Sequence, residues 1–193
     1  MVQIVLARPG STDFDQQGRI QGTLDIPLNE QGSHEVANLI RDFQNLGIET
    51  VYCSDAEPAV QTATAVATAL DVKLKRLENM QNLDQGLWQG MLVDEVRRRQ
   101  PRVFRQWQEQ PECVCPPQGE MLGDARERIQ QTLKKLLRKH KEGIIALVVP
   151  EPLTSLVKAW LLQCQVGELW KPRDSAPQWE LISIEPRVLA SAR

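Results

Sequence analysis

The alternation of short β-branched apolar runs with helix-period segments constrains this chain most. Val2 to Leu6, Thr50 to Cys53 and Ile144 to Val149 read as strands buried on both faces, the pattern of a parallel sheet, and Glu180 to Ile184 reads as a later strand with alternation. Between them lie helices. Asn29 is placed to cap a helix through Val36, Leu39, Ile40 and Phe43 toward Gly47, and Glu57 to Leu70 forms an Ala-rich second helix. A third helical region, Val93 to Trp107, is broken at Pro101; a fourth, Leu122 to about Lys141, sets Ile129, Leu133, Leu136 and Leu137 on one face before Gly143 ends it; residues 153 to 164 form a fifth. The order predicts a three-layer α/β/α sandwich around a mostly parallel sheet.

Ligand sites in such sheets form at the carboxyl ends of the strands, where Arg8, Ser54 and Pro150 fall. No repeat, low-complexity tract or composition shift marks a second domain, so residues 1–193 are read as one domain, with the Pro-rich Pro111 to Pro117 stretch as a loop over the sheet edge. A chain of 193 residues, 41% hydrophobic, is long enough to bury roughly 70% of its unfolded surface. A net charge of -2 does not point to nucleic acid as a partner. Met1 to Leu6 lacks the features of a signal peptide and no stretch reaches membrane-spanning length, so the expectation is a cytoplasmic protein without a membrane partner.

Several motifs then occur in a telling order. Val5-Leu6-Ala7-Arg8-Pro9-Gly10-Ser11-Thr12 is followed by Arg19-x-Gln21-Gly22-x-x-Asp25-x-Pro27-Leu28 with Gly32, then Cys53-Ser54-Asp55 with Gln61-Thr62-Ala63, Gly86-Leu87-Trp88-Gln89-Gly90, and Pro117-x-Gly119-Glu120 with Asp124. The series resembles the histidine phosphatase, or phosphoglycerate mutase-like, superfamily over roughly residues 2 to 184, and it implies that family's sandwich fold. The first motif stands where the family carries a strand ending in Arg-His-Gly-Glu-Thr, and the fourth is similar to its Gly-x-Trp-Glu-Gly.

The family's chemistry uses a histidine nucleophile, a second histidine, two phosphate-holding arginines and an acid for the leaving group. By the resemblance, the nucleophile maps to Pro9, the second histidine to Pro150 with Glu151 in place of the following glycine, the second arginine to Pro58 and the acid to Asn82. Arg8 alone survives. A proline ring nitrogen is locked in the backbone amide and has neither side-chain donor nor base. Three of four cationic or potentially cationic phosphate ligands are therefore absent, and tight phosphate binding is not expected.

Substitutes are few. His34 and His140 are the only histidines, and both read as surface residues. Asp84 is two positions from Asn82 but has no nucleophile to serve. Cys53 reads as a buried structural thiol, and the cysteines mostly as small apolar fillers, too irregular for zinc or a redox pair; only Cys113 and Cys115 invite a second reading, because the Pro-rich segment that carries them is expected to expose them to metal or oxidant. Glu151 either forms a bidentate bridge with Arg8 that seals the anion pocket or is an exposed loop residue. Arg8, Ser11, Gln21 and Gly22 are the candidate ligand-binding residues, with no catalytic residue, metal or cofactor expected.

Two basic clusters, Arg97-Arg98-Arg99 with Arg102 and Arg105, and Lys134 to Lys141, read as the solvated faces of amphipathic helices, where such runs usually lie. Trp160 and Trp179 read as core, Trp88 takes the family's own tryptophan position, and Trp107 and Trp170 are the interface candidates. The functional expectation is a pseudophosphatase that binds a protein or small molecule or regulates an active relative. The alternatives are a weak or atypical phosphomonoester phosphatase or mutase, and a structural subunit that assembles as a homo-oligomer.

Overall fold

The computed structural model describes residues 1–166, 169 and 177–184. Its strands are β1 (Val2–Ala7), β2 (Ile48–Cys53), β3 (Lys73–Arg76), β4 (Gly143–Val148) and β5 (Trp179–Ser183), and its helices are α1 (Asp13–Gln17), α2 (Glu30–Phe43), α3 (Glu57–Leu70), α4 (Val93–Arg99), α5 (Pro101–Glu109), α6 (Leu122–Lys139) and α7 (Leu153–Leu162). The sheet order is β3-β2-β4-β1-β5. All neighbours pair parallel except β1 with β5, which is antiparallel.

Alternation along the central strands divides the core into two layers. Val5, Ala7, Val51, Cys53, Ala146 and Val148 pack under α2 and α3, through Leu39, Phe43, Ala59, Ala63 and Val66. Val2, Ile4, Leu6, Ile145 and Leu147 face the other way, against Ile129, Leu133 and Leu136 of α6 and Leu153, Leu156 and Val157 of α7. The three-layer sandwich expected from the sequence is the observed architecture. No helix among the described residues is long and apolar enough to cross a membrane.

Local chemistry explains the element ends. Asn29 Oδ1 accepts from Gly32 N at 2.8 Å, satisfying one of the open donors at the start of α2. Helix α3 begins with Pro58 in its first turn, where the missing N–H has no intrahelical acceptor to lose. Pro101 separates α4 from α5 as expected.

Other expectations need correction. Helix α6 stops at Lys139 with His140 as its C-cap, and Gly143, at φ 86°, opens β4 instead of closing the helix. Helix α7 ends at Leu162, two residues short of the expected span. The Pro111 segment forms a 3-10 turn over Pro111–Cys113 that packs on α5 and α6, and Leu87 N donates to Pro117 O at 2.9 Å, so it lies against those helices and the turn at residues 86–88. Trp107, expected at an interface, is 1% exposed and packs edge-on against Trp88 at 5.9 Å, because the period of α5 turns it inward beside Phe104. Trp160 and Trp179, expected in the core, are half-buried; Trp179 sits edge-on to Phe43 and donates its indole N–H to Asp42 Oδ2 at 2.9 Å. Trp170 lies outside the described residues.

Of the cysteines only Cys53 is buried, where desolvation raises its thiol pKa to about 11; Cys113 and Cys115 are exposed, as their Pro-rich segment suggested, and Cys164 is exposed instead of being an apolar filler. His34 is exposed as expected. His140 is half-buried, with its Nε2 2.7 Å from the Tyr52 hydroxyl, and it is therefore not the simple surface residue the sequence suggested. The arginines at 97, 98, 99, 102 and 105 are exposed, and Arg97 and Arg99 pair within their own helix with Asp94 and Glu95.

Candidate functional site

The carboxyl ends of β1, β2 and β4 meet at one edge of the sheet, and the loops leaving them build the site. After β1 the chain runs through Arg8 to Thr12. Gly10 N donates to the buried Thr62 Oγ1 of α3 at 3.0 Å, and a Cβ on Gly10 would lie 2.4 Å from Gly32 O. Only glycine allows this loop to lie against the first turn of α2. Thr12 then caps α1 reciprocally with Asp15, donating its backbone N–H to Asp15 Oδ2 at 2.7 Å while its hydroxyl accepts from Asp15 N at 3.2 Å.

Between these anchors, Ser11 is 3% exposed and turns toward Glu35 of α2. Its hydroxyl donates to Glu35 Oε1 at 2.7 Å and its backbone N–H to Oε2 at 2.9 Å. Arg8, 7% exposed, donates from Nη2 to Pro177 O at 3.2 Å.

After β4, Pro150 and Pro152 are buried and lead into α7. The Glu151 side chain is exposed, and its Oε2 accepts from Ser155 N at 3.2 Å and Ser155 Oγ at 2.9 Å. A bidentate Arg8–Glu151 seal is therefore not formed. The first turn of α7 offers Glu151 the open N–H and the hydroxyl of Ser155, four residues on, and the carboxylate takes both.

Asn82 is 1% exposed and acts as a tie between loops. Its Nδ2 donates to Gly22 O at 3.0 Å and to Glu151 O at 3.1 Å, while its Oδ1 accepts from Leu83 N at 2.9 Å. Arg128 of α6 fixes the same loop from behind, donating to the carbonyls of Asn79, Gln81 and Asn82 at 3.1, 2.8 and 3.3 Å and pairing with Glu120 at 2.6 Å. Sequence reasoning quoted Glu120 only as part of a motif and passed over Arg128. No local pattern flags a side chain that serves carbonyls more than forty residues away.

These loops enclose a cleft of about 720 Å³. Arg8, Pro9, Ser11, Gln21, Gly22, Pro58, Pro150 and Glu151 all line it, so the positions singled out in the sequence converge, with Asn82 hydrogen-bonded to two of the lining residues. Glu35 and Gln85, absent from the sequence-based set, line it too. Neither of the chain's two histidines does. Among the described lining residues, cations Arg8 and Arg19 stand against Asp15, Glu35 and Glu151, and Arg19 is held by Gly90 O at 2.6 Å and Gln17 Oε1 at 2.7 Å. No cluster of metal-ligating side chains occurs among the described residues.

The model of the histidine phosphatase superfamily (branch 1) matches residues 4–188. The chain belongs to this superfamily. It is 27% identical over 188 residues, 97% of its length and 89% of the relative's, to phosphoserine phosphatase 1 of Hydrogenobacter thermophilus. In fold it is similar to a mycobacterial glucosyl-3-phosphoglycerate phosphatase in complex with VO3, with TM-score 0.83, 21% identity and coverage of 97% of this chain and 93% of that one. It is similar also to a histidine-to-alanine variant of the Entamoeba histolytica phosphoserine phosphatase in complex with phosphoserine, with TM-score 0.73, 21% identity and coverage of 88% of each chain.

Proposed function

We propose that this histidine phosphatase relative is a pseudophosphatase: a catalytically inactive member whose cleft binds a small molecule or a segment of a partner protein, or through which it regulates an active relative. The observation that carries the reading is that no histidine lines the cleft, whose wall carries Pro9, Pro58 and Pro150. Covalent phosphoryl transfer needs a side-chain lone pair poised at phosphorus and cations around the equatorial oxygens. Prolines supply neither, and among the described lining residues three carboxylates beside two arginines make a poor cradle for a dianion. The Entamoeba histidine-to-alanine variant bound to phosphoserine supports the idea that ligand binding in this fold outlasts loss of a histidine. A cytoplasmic placement belongs to the same proposal.

One contact favours a second reading, an atypical phosphatase. Ser11 Oγ donates to Glu35 Oε1 at 2.7 Å inside the cleft, the geometry of a hydroxyl nucleophile beside a base. A carboxylate is a weak base for a serine hydroxyl, and Glu35 also holds Ser11 N, which fits a loop clamp better than an activated nucleophile.

Intact-mass analysis after incubation with para-nitrophenyl phosphate separates the two. The pseudophosphatase reading expects unmodified protein. An added phosphoryl group that survives acid and disappears in Ser11→Ala establishes the serine enzyme instead.

A further inference from the structure

Cys113 and Cys115 flank Val114 outside the cleft. Both cysteines are exposed, whereas Val114 is buried in the core. Val114 has φ -117° and ψ 126°, an extended conformation. Successive side chains of an extended chain point to opposite faces, so anchoring Val114 inward turns the two thiols outward on one face.

The backbone that carries them is held from both sides. Cys113 N donates to Gln110 O at 3.0 Å and Val114 N to Pro111 O at 3.3 Å. After Cys115 the chain turns, with Gly119 N donating to Pro116 O at 2.8 Å, and this turn lies so close to residue 86 that a Cβ on Gly86 would meet Pro117 O at 2.1 Å. Glu112, the neighbouring carboxylate, is committed to Arg126 of α6. Cys115 Sγ donates weakly to Pro116 O and Gly119 O, each at 3.5 Å, contacts that end when the thiol loses its proton.

The spacing selects what the pair can hold. Two residues apart on an extended chain, the Cα atoms are about 6.6 Å apart, and Cβ atoms that project side by side are about as far. A disulfide needs its Cβ atoms within about 4.5 Å, so a direct S–S bond would require the held backbone to close up. A cation bound to both sulfurs by bonds of about 2.3 Å sets them about 4.6 Å apart, a span the two Sγ atoms reach by leaning toward each other. Zinc asks for four ligands, and no group of three or more metal-ligating side chains occurs among the described residues. Thiolate pairs suit a soft monovalent ion that is content with two ligands.

We propose that Cys113 and Cys115 form a dithiolate site for a soft, two-coordinate cation of the Cu(I) class. Binding forms two S–Cu bonds and releases one proton from each thiol to solvent; copper stays Cu(I) and the bound unit carries one negative charge. The site stands apart from the cleft and does not depend on whether the cleft is catalytic.

The test uses the full reduced chain without oxygen, with Cu(I) supplied as its coloured bicinchoninate complex. The chain withdraws one Cu(I), read as loss of the complex's colour. Cys113→Ser and Cys115→Ser each lose the withdrawal, while Cys164→Ser, at another exposed thiol, keeps it. One equivalent of Cu(I) also raises the Tm of the wild type and not of Cys113→Ser, because the folded turn holds the two thiols together and the unfolded chain does not. No withdrawal, uptake that survives in either Cys113→Ser or Cys115→Ser, or an unmoved wild-type Tm overturns the proposal. A chain that takes up no Cu(I) but loses two hydrogens between Cys113 and Cys115 on exposure to peroxide also overturns it, and makes the pair a disulfide instead.

Discussion

The side-chain amide of Asn82 donates to the carbonyl oxygen of Glu151 at 3.1 Å and, with its other hydrogen directed to Gly22 O at 3.0 Å, joins the loop after β4 to the segment after α1. Both contacts require a donor. A carboxylate at this position would face two carbonyl oxygens with no proton to give, so the asparagine amide suits the holding of the cleft's rim.

Asn82→Asp therefore destabilises the protein, by about 2–3 kcal/mol at neutral pH, through one lost pair of donors and a buried charge facing two acceptors. The loss shrinks as pH is lowered, because a protonated carboxyl regains one donor. Urea unfolding of the variant and the wild type at neutral and acidic pH measures both effects.

Arg128→Ala removes the donors that hold the carbonyls of Asn79, Gln81 and Asn82 and leaves Glu120 without its guanidinium. The Arg128–Glu120 pair is mostly buried, at 15% and 20% side-chain exposure, so a cost of about 2–4 kcal/mol is expected. Arg128→Lys recovers little of it, since one ammonium cannot reach three carbonyls and a carboxylate in the guanidinium's geometry. Chemical denaturation reads the difference directly.

His140 introduces a pH dependence. Burial lowers its pKa first, Lys75 and Lys139 lower it further, and Glu49 opposes them. A histidine whose folded pKa lies below its unfolded value stabilises the protein above the ordinary histidine range, and that contribution is lost as pH falls through the lowered folded value. Tm is expected to drop on acidification below the ordinary histidine pKa of 6.5. His140→Gln flattens that part of the profile, measured by thermal melts across the acid range.

Much of this architecture was legible in the sequence because it rests on local rules. The Asn29 cap, the Pro101 break and the Glu57–Leu70 helix follow from caps, proline and period alone. Strand β3 was hidden: Lys73–Arg76 is an exposed edge strand whose charged sequence carries no apolar pattern, and only its ladder with β2 makes it a strand. Helix α1 was missed although Thr12 and Asp15 form a capping box, since five residues give no periodicity to read. In the site, the motif order brought Arg8, Pro9, Pro58 and Pro150 to one cleft. The role of Arg128 depends on carbonyls distant in sequence, which leave no local trace, whereas Glu151 pairs locally with Ser155 in the first turn of α7.

The central claim is that the cleft binds without catalysing, and hydrolysis of para-nitrophenyl phosphate by highly purified protein, with Arg8→Ala as the contamination control, tests it most directly. The account predicts release of nitrophenol no faster than in the Arg8→Ala preparation. Turnover that is present in the wild type and disappears in Arg8→Ala would contradict it.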